Sequence, residues 1–345
     1  MDAQTRAFLD AAASSPAPPP GDVPLEEFRA AVAPFKAMGF EREEVARVEE
    51  LTVGVGSEGE VPVRFYLPAT AEPPPIVVWA HGGSWVRVTV DLFDGHFRVY
   101  ANRSGCAIAA VDYQLSPESR FPAAIEEVYA VGRWMRDDGA KVGCDPSRVG
   151  VAGESSGGNL AAAAVLVDRA RGEVGFDHQT LLAPVLDARM DTPSWRTLGE
   201  RYVLTKEQMD WAIEQYAPGV DRTEPLLSPV CASDLAGLPP TLIVTGELDP
   251  LRDEGTRYAE MLHSANVKVD HHRVEGLIHH AIMAPARIDL GRRVVERTAR
   301  EIGAALAAGP EAHSGAQSAG DSAQPTPLRP LEQAMPLLNG PRIHE

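Results

Sequence analysis

A chain of 345 residues, 44% hydrophobic and 23% charged, has the make-up of a folded globular protein of one large or two smaller domains. With 49 acidic residues against 32 basic ones its net charge is −17, so it has no basic surplus to displace counterions; this argues against nucleic acid and disfavours anionic membranes as partners. Three scattered cysteines, Cys106, Cys144 and Cys231, fit neither a disulfide framework nor a zinc site.

Residues 1 to about 45 read as helical pieces broken by the proline-rich linker Ser14–Gly21, with Ala7, Phe8, Phe28, Val32, Phe35 and Met38 forming apolar faces. Such a segment is expected to pack as a cap over something else. The first residues carry Asp2 and Asp10 and no long apolar core, so no signal peptide is expected. No run approaches the ~20 apolar residues that span a bilayer. The expected location is the cytoplasm.

Val48–Val53 and Val61–Leu67 alternate as two strands, with a turn over Gly54–Glu60. Ile76–Ala80 is a continuous apolar run suited to a strand buried on both faces, and it ends in His81, Gly82, Gly83, Ser84 and Trp85. Ala107–Val111 is a second such run, followed by Asp112 and Tyr113; Phe121–Trp134 is an amphipathic helix. Arg148–Ala152 is the next strand, and an alanine-rich helix covers Leu160–Arg171. Further strands are expected at Gln179–Leu186, at Thr241–Thr245 ahead of Asp249, and at Val267–Val274 ahead of His279 and His280. Arg287–Leu306 closes the domain with Val294, Thr298, Ile302 and Leu306 on one helical face. Apolar strands alternating with helices predict an α/β fold with a mostly parallel sheet covered on both faces, over residues 46–308. Residues 188–228, with Trp195, Tyr202, Trp211 and Tyr216 in helical context, break the alternation and read as a cap insertion. Residues 309–345 shift to Gly, Ala, Ser, Pro and Gln and read as a disordered tail, with Leu331, Met335 and Leu337 as its few apolar residues.

Gly153, Ser155 and Gly157 between a strand and a helix have the G-x-S-x-G spacing of a nucleophile elbow. A serine there sits in a strained turn that lifts its hydroxyl off the sheet, and the flanking glycines let strand and helix pass close by. The helix aims its N-terminal N–H groups at the same point. A serine needs a base, an acid to orient it and donors for the oxyanion. His279 and His280 share one loop, and position alone does not choose between them. Asp249 is the leading acid, with Asp187 and Asp253 as rivals. The elbow supplies the Ser156 N–H, and the glycine-rich loop at His81 supplies further amides; His81 itself reads as structural. No cluster has metal-ligand spacing and no loop fits a phosphate or dinucleotide, so neither metal nor cofactor is expected.

Over residues 48 to 303 the chain resembles the hormone-sensitive-lipase branch of the α/β-hydrolases, which includes bacterial carboxylesterases. The resemblance rests on H-G-G-S-W at 81, V-D-Y-Q-L-S-P-E at 111, F-P-A-A at 121, D-P-S-R-V at 145, G-E-S-S-G-G-N at 153, L-P-P at 238, D-P-L-R-D-E-G at 249 and G-L-I-H-H at 276. It implies an α/β-hydrolase fold with a helical cap. Ser155 would be the nucleophile, Asp249 the acid and His279, rather than His280, the base. The oxyanion amides would be those of Gly82, Gly83 and Ser156. The implied activity is hydrolysis of small to medium carboxylic esters through an acyl-enzyme. Dehydratase, amidase or lactonase chemistry on the same site, or a receptor-like binding role, are the alternatives. Relatives often form homodimers. Three departures from the family pattern stand out: Ser84 for the third glycine, Glu154 for the usual aspartate with Ser156 after the nucleophile, and His280 for the glycine after the base.

Overall fold

A computed structural model describes residues 1–14, 18–57 and 59–308. The reading of residues 309–345 as a tail lies outside the described residues.

The N-terminal pieces are α1 (Ala3–Ser14), α2 (Leu25–Ala30) and a 3-10 turn over Ala33–Met38. Strands β1 (Arg47–Val55) and β2 (Gly59–Leu67) form a hairpin. Then follow β3 (Ile76–Ala80), α3 (Asp94–Ser104), β4 (Ala107–Val111), α4 (Ala123–Asp138), β5 (Val149–Glu154), α5 (Ser156–Arg171) and β6 (His178–Leu182). Two short helices, α6 (Pro193–Leu198) and α7 (Lys206–Tyr216), precede β7 (Thr241–Leu248), α8 (Arg252–Ser264), β8 (Val269–Ile278) and α9 (Asp289–Ala307). The strand expected over Gln179–Leu186 stops at Leu182, because Pro184 cannot donate to a ladder. The last two strands run on to Leu248 and Ile278, several residues past their expected ends.

The eight described strands lie in the order β1-β2-β4-β3-β5-β6-β7-β8, with β2 antiparallel to both its neighbours, β1 and β4, and every other pair parallel. From β3 the chain crosses to β4 on one side, and from β4 it returns to β5 on the other. The strand order therefore reverses between β3 and β5, and the crevice beyond their carboxyl ends is where such sheets bind ligands. Alternation along the pleat sends Val77, Trp79, Ile108, Ala110 and Ala152 to the face covered by α3 and α9, where Phe97, Tyr100, Val295 and Ile302 meet them. Among the described residues no helix is long and apolar enough to cross a membrane.

Candidate active site

At the switch point β5 ends in Glu154 and α5 begins at Ser156, leaving Ser155 alone in the turn with φ 56° and ψ −121°. A serine does not adopt this conformation unless the surroundings force it. Here the forcing is steric. A Cβ on Gly157 would run into the Ala80 carbonyl of β3, and one on Gly153 into the Gly157 carbonyl, so strand, elbow and helix are packed at backbone distance.

The long extensions of β7 and β8 deliver the other two side chains. Asp249 follows β7, and its Oδ1 accepts the Leu251 N–H at 2.9 Å. His279 follows β8. Its Nδ1 lies 2.8 Å from Asp249 Oδ2 and its Nε2 lies 3.0 Å from Ser155 Oγ. A carboxylate only accepts, so Nδ1 carries the proton and Nε2 presents its lone pair to the serine hydroxyl. All three side chains are buried. His280 lines the cavity beside Ser155, with its ring 5.3 Å from that of His279 and 5.7 Å from that of Phe35, but it makes no hydrogen bond to Ser155 or Asp249. Burial, His279 and Arg87 push its pKa well below the ordinary histidine value. The rival acids are committed to other work: Asp187 binds the Arg189 guanidinium at 2.5 Å, and Asp253 accepts the Ser194 N–H at 2.7 Å.

The glycine-rich loop requires a correction. The Gly82 N–H, expected among the oxyanion donors, donates to Glu154 Oε1 at 2.5 Å, so that donor is taken. The other carboxylate oxygen accepts Trp79 Nε1–H at 2.7 Å. The sheet register dictates this. Ala80 pairs with Gly153 and Trp79 with Ala152, so Glu154 shares a face with Trp79 and lies level with the start of the loop. Burial pushes the Glu154 carboxyl up to about 7 against the pull of its two donors. Among the described residues the N–H groups of Gly83, Ser84 and Ser156 make no protein hydrogen bond. The free pair in this loop is thus shifted one residue along, to Gly83 and Ser84. Ser84, with φ 56°, was absent from the expected donors, although its place in the H-G-G-S pattern was the available signal. Its neighbour His81 is structural, with Nδ1–H on the Gly82 carbonyl at 2.8 Å and its ring stacked 4.3 Å from that of Tyr113.

Val32 and Phe35 of the N-terminal segment, Leu204 of the 188–228 segment, and Ile282 and Met283 roof these groups and leave a cavity of about 30 Å³, room for little more than a water molecule. A larger concavity, about 360 Å³, lies between the β1–β2 turn and α4 and shares no lining residue with the cavity beside the serine. Four of its charges are paired with each other, Arg171 with Glu126 at 2.7 Å and Arg133 with Glu173 at 3.4 Å. Among the described residues no group of three or more His, Cys, Asp or Glu side chains could hold a metal ion.

A serine elbow at the switch point of a mostly parallel sheet, with an acid and a histidine on later strand ends, defines a hydrolase architecture. Residues 77–283 match the family described as alpha/beta hydrolase fold. Carboxylesterase NlhH of Mycobacterium tuberculosis is 36% identical over 249 residues, 70% of this chain and 78% of that one. Among solved structures, an ester hydrolase from the metagenome of Lake Arreo, complexed with a bipyridine phosphonate derivative, superposes with a TM-score of 0.84 at 34% identity, covering 88% of this chain and 98% of that one. The hyperthermophilic esterase from the archaeon Pyrobaculum calidifontis superposes with a TM-score of 0.81 at 34% identity over the same shares of each chain. The chain belongs to the α/β-hydrolases, in their hormone-sensitive-lipase-like branch.

Proposed function

We propose that this hydrolase is a serine carboxylesterase that cleaves small to medium carboxylic esters through an acyl-enzyme on Ser155. The observation that carries the reading is the unbroken row Asp249, His279, Ser155, with contacts of 2.8 and 3.0 Å in a buried site. The names of the relatives, a carboxylesterase and two esterases, support the same class.

In the first step Ser155 Oγ bonds to the ester carbonyl carbon while its proton passes to His279 Nε2. Asp249 holds the imidazole and stabilises its charged form. The carbonyl oxygen takes the negative charge and is met by the N–H groups of Gly83, Ser84 and Ser156. His279 then gives its proton to the leaving alkoxide as the carbon–oxygen bond breaks. Water repeats the sequence on the acyl-enzyme: its proton goes to Nε2, its oxygen bonds to the acyl carbon, and Ser155 recovers its hydrogen. The helical pieces before residue 45 and the 188–228 segment act as a cap that shapes the pocket and excludes water.

The test is a panel of aryl esters of graded acyl length, with an amide and a lactone as controls, on the wild type and Ser155→Ala. Hydrolysis of the short esters should fall by several orders of magnitude in the variant. An organophosphonate should add its mass to Ser155 alone. Near-full turnover by Ser155→Ala, or a product profile of elimination without acyl transfer, would overturn the reading.

A further inference from the structure

The cavity beside Ser155 is also lined by Arg87, two residues beyond Trp85 in the loop after β3. This loop is curled tightly. Gly83 has φ 124° and its Cα faces the Arg87 carbonyl so closely that a Cβ would collide with it, while the Arg87 N–H bonds back to the Gly83 carbonyl at 3.1 Å. Val88 has φ 79°, a conformation a β-branched residue avoids. Strain of this kind persists where the surroundings enforce it and gathers at functional positions. Here it fixes the backbone on either side of one arginine.

Among the described residues the Arg87 guanidinium makes no hydrogen bond and no ion pair; its contact is the face of Phe28, 4.9 Å from the ring centre. The situation contrasts with Arg29 nearby, whose guanidinium binds Glu118 at 2.7 Å along with two backbone carbonyls. Among the described residues no acidic side chain forms an ion pair with Arg87, whereas most other buried or half-buried arginines, such as Arg64, Arg136 and Arg189, have one. Glu154 lines the same cavity, but each of its carboxylate oxygens already accepts a bond, from Gly82 and from Trp79. Burial first, and then the neighbouring His279 and Arg87, push the His280 pKa well below the ordinary histidine value, so its ring is not a second cation in the cavity. Burial brings the Arg87 pKa down to about 10, so the group stays charged at neutral pH. Arg87 is half-buried, so its unpartnered cation keeps some contact with solvent, and an anion that arrives with the substrate can replace that solvent through charge-assisted hydrogen bonds.

We propose that Arg87 is a specificity-determining residue: the preferred substrate is an ester that bears a second, anionic group, and the Arg87 guanidinium binds that group while Ser155 attacks the ester carbonyl. The proposal rests on the esterase reading and narrows it from esters in general to monoesters of dicarboxylic acids or esters of hydroxy acids. These two sources place the same carboxylate on the acyl or on the alcohol side.

The experiment compares kcat/KM for two matched pairs, monomethyl glutarate against methyl pentanoate and O-acetylglycolate against ethyl acetate. The enzymes are the wild type, Arg87→Met, which keeps the apolar stem over Phe28, and Arg87→Lys, which keeps a charge. The wild type should favour the anionic member of at least one pair, and the pair affected identifies the side. Arg87→Met should lower that preference about 10- to 100-fold, the range expected for a lost charge-assisted contact, with the neutral esters changed less than about threefold. Arg87→Lys should retain part of the preference. Equal anionic-to-neutral ratios in wild type and Arg87→Met, or a wild type that favours the neutral member of both pairs, would overturn the proposal. If no ester of either kind is turned over, the esterase reading itself fails. The anion site is then judged by calorimetry with glutarate: binding to the wild type that Arg87→Met abolishes supports it, and equal or absent binding sinks it.

Discussion

Asp249 and Glu154 are both buried carboxylates at strand ends, and each can be tested by removing charge without removing shape. In Asp249→Asn the amide oxygen would keep the Leu251 N–H, which turns the NH2 group toward His279. The imidazole must then accept at Nδ1 and carry its proton on Nε2, where it cannot take one from Ser155. The fold should be unaffected, with Tm unchanged within a few degrees, while kcat on an aryl ester falls about 10³- to 10⁴-fold. Glu154 poses a stability question. Its folded pKa of about 7 lies above its ordinary 4.5, so the native state holds a proton that the unfolded chain has lost across that interval. Its contribution is full below the ordinary value, is lost as pH rises toward 7, and is flat above, a decline of about 3 kcal/mol. Tm measured from about pH 5 to 8 should therefore fall less in Glu154→Gln than in the wild type; parallel curves would contradict the assignment. Ser155, Asp249 and the pair His279/His280 were legible because each ends an apolar run. The occupied Gly82 amide was not, since it depends on a side chain 72 residues away brought level by strand register. Nor was the lone state of Arg87, because a missing partner leaves no trace in a sequence.

The elements themselves follow from local pattern where one face is apolar throughout. All five residues of β3 and all five of β4 are buried, and both strands lie where their apolar runs put them. Helix α3 had no such signature, because its buried side includes Asp94, Gly95 and His96. Their fit is tertiary: the Asp94 carboxylate meets Tyr66 Oη–H at 3.0 Å, Arg98 at 3.0 Å and Arg42 at 2.7 Å, and Gly95 lies against the Phe40 backbone. Helix α5 shows how one element serves both stability and chemistry at opposite ends. It runs 16 residues, about 24 Å, from the elbow to a left-handed stop at Gly172. At the far end the Asp168 carboxylate accepts the N–H groups of Val174, Gly175 and Phe176 at 2.8, 2.9 and 3.2 Å and holds the turn into β6. Asp168→Ala strands these donors and should cost about 3 kcal/mol, a fall in Tm of roughly 10 °C. With the elbow untouched, kcat well below the transition should stay within about twofold. A comparable loss of kcat would mean that the helix transmits the damage to Ser155.

At the scale of the whole molecule, the closed roof is the feature that function must contend with. A cavity of about 30 Å³ does not admit an ester, since ligand sites for small molecules run to ~300 Å³ and more. The residues that fill it from above are Val32 and Phe35, which belong to the N-terminal segment, and Leu204 from the stretch between α6 and α7. These two segments grip each other where Phe28 meets the Trp211 ring edge-on at 4.8 Å. They are latched to the sheet side by Arg29, which donates to the Val86 carbonyl at 2.7 Å, the Ser116 carbonyl at 3.0 Å and Glu118. The exposed half of the Arg29–Glu118 pair contributes little, but the half-buried bonds to backbone carbonyls do not lose strength to solvent in the same way. If the ester enters past the segment around residues 25–38, that segment must lift, and Arg29 is the side chain that latches it. Arg29→Ala should speed deuterium exchange over residues 25–38 and leave the central strands unchanged. Because the roof also completes the pocket around bound ester, KM should rise about 3- to 10-fold while kcat changes little. Covalent phosphonate on Ser155 should alter exchange in the same segment in both proteins. Unaltered exchange at 25–38 in the variant, together with an unchanged KM, would show that the latch does not govern access and that the opening lies elsewhere in the roof.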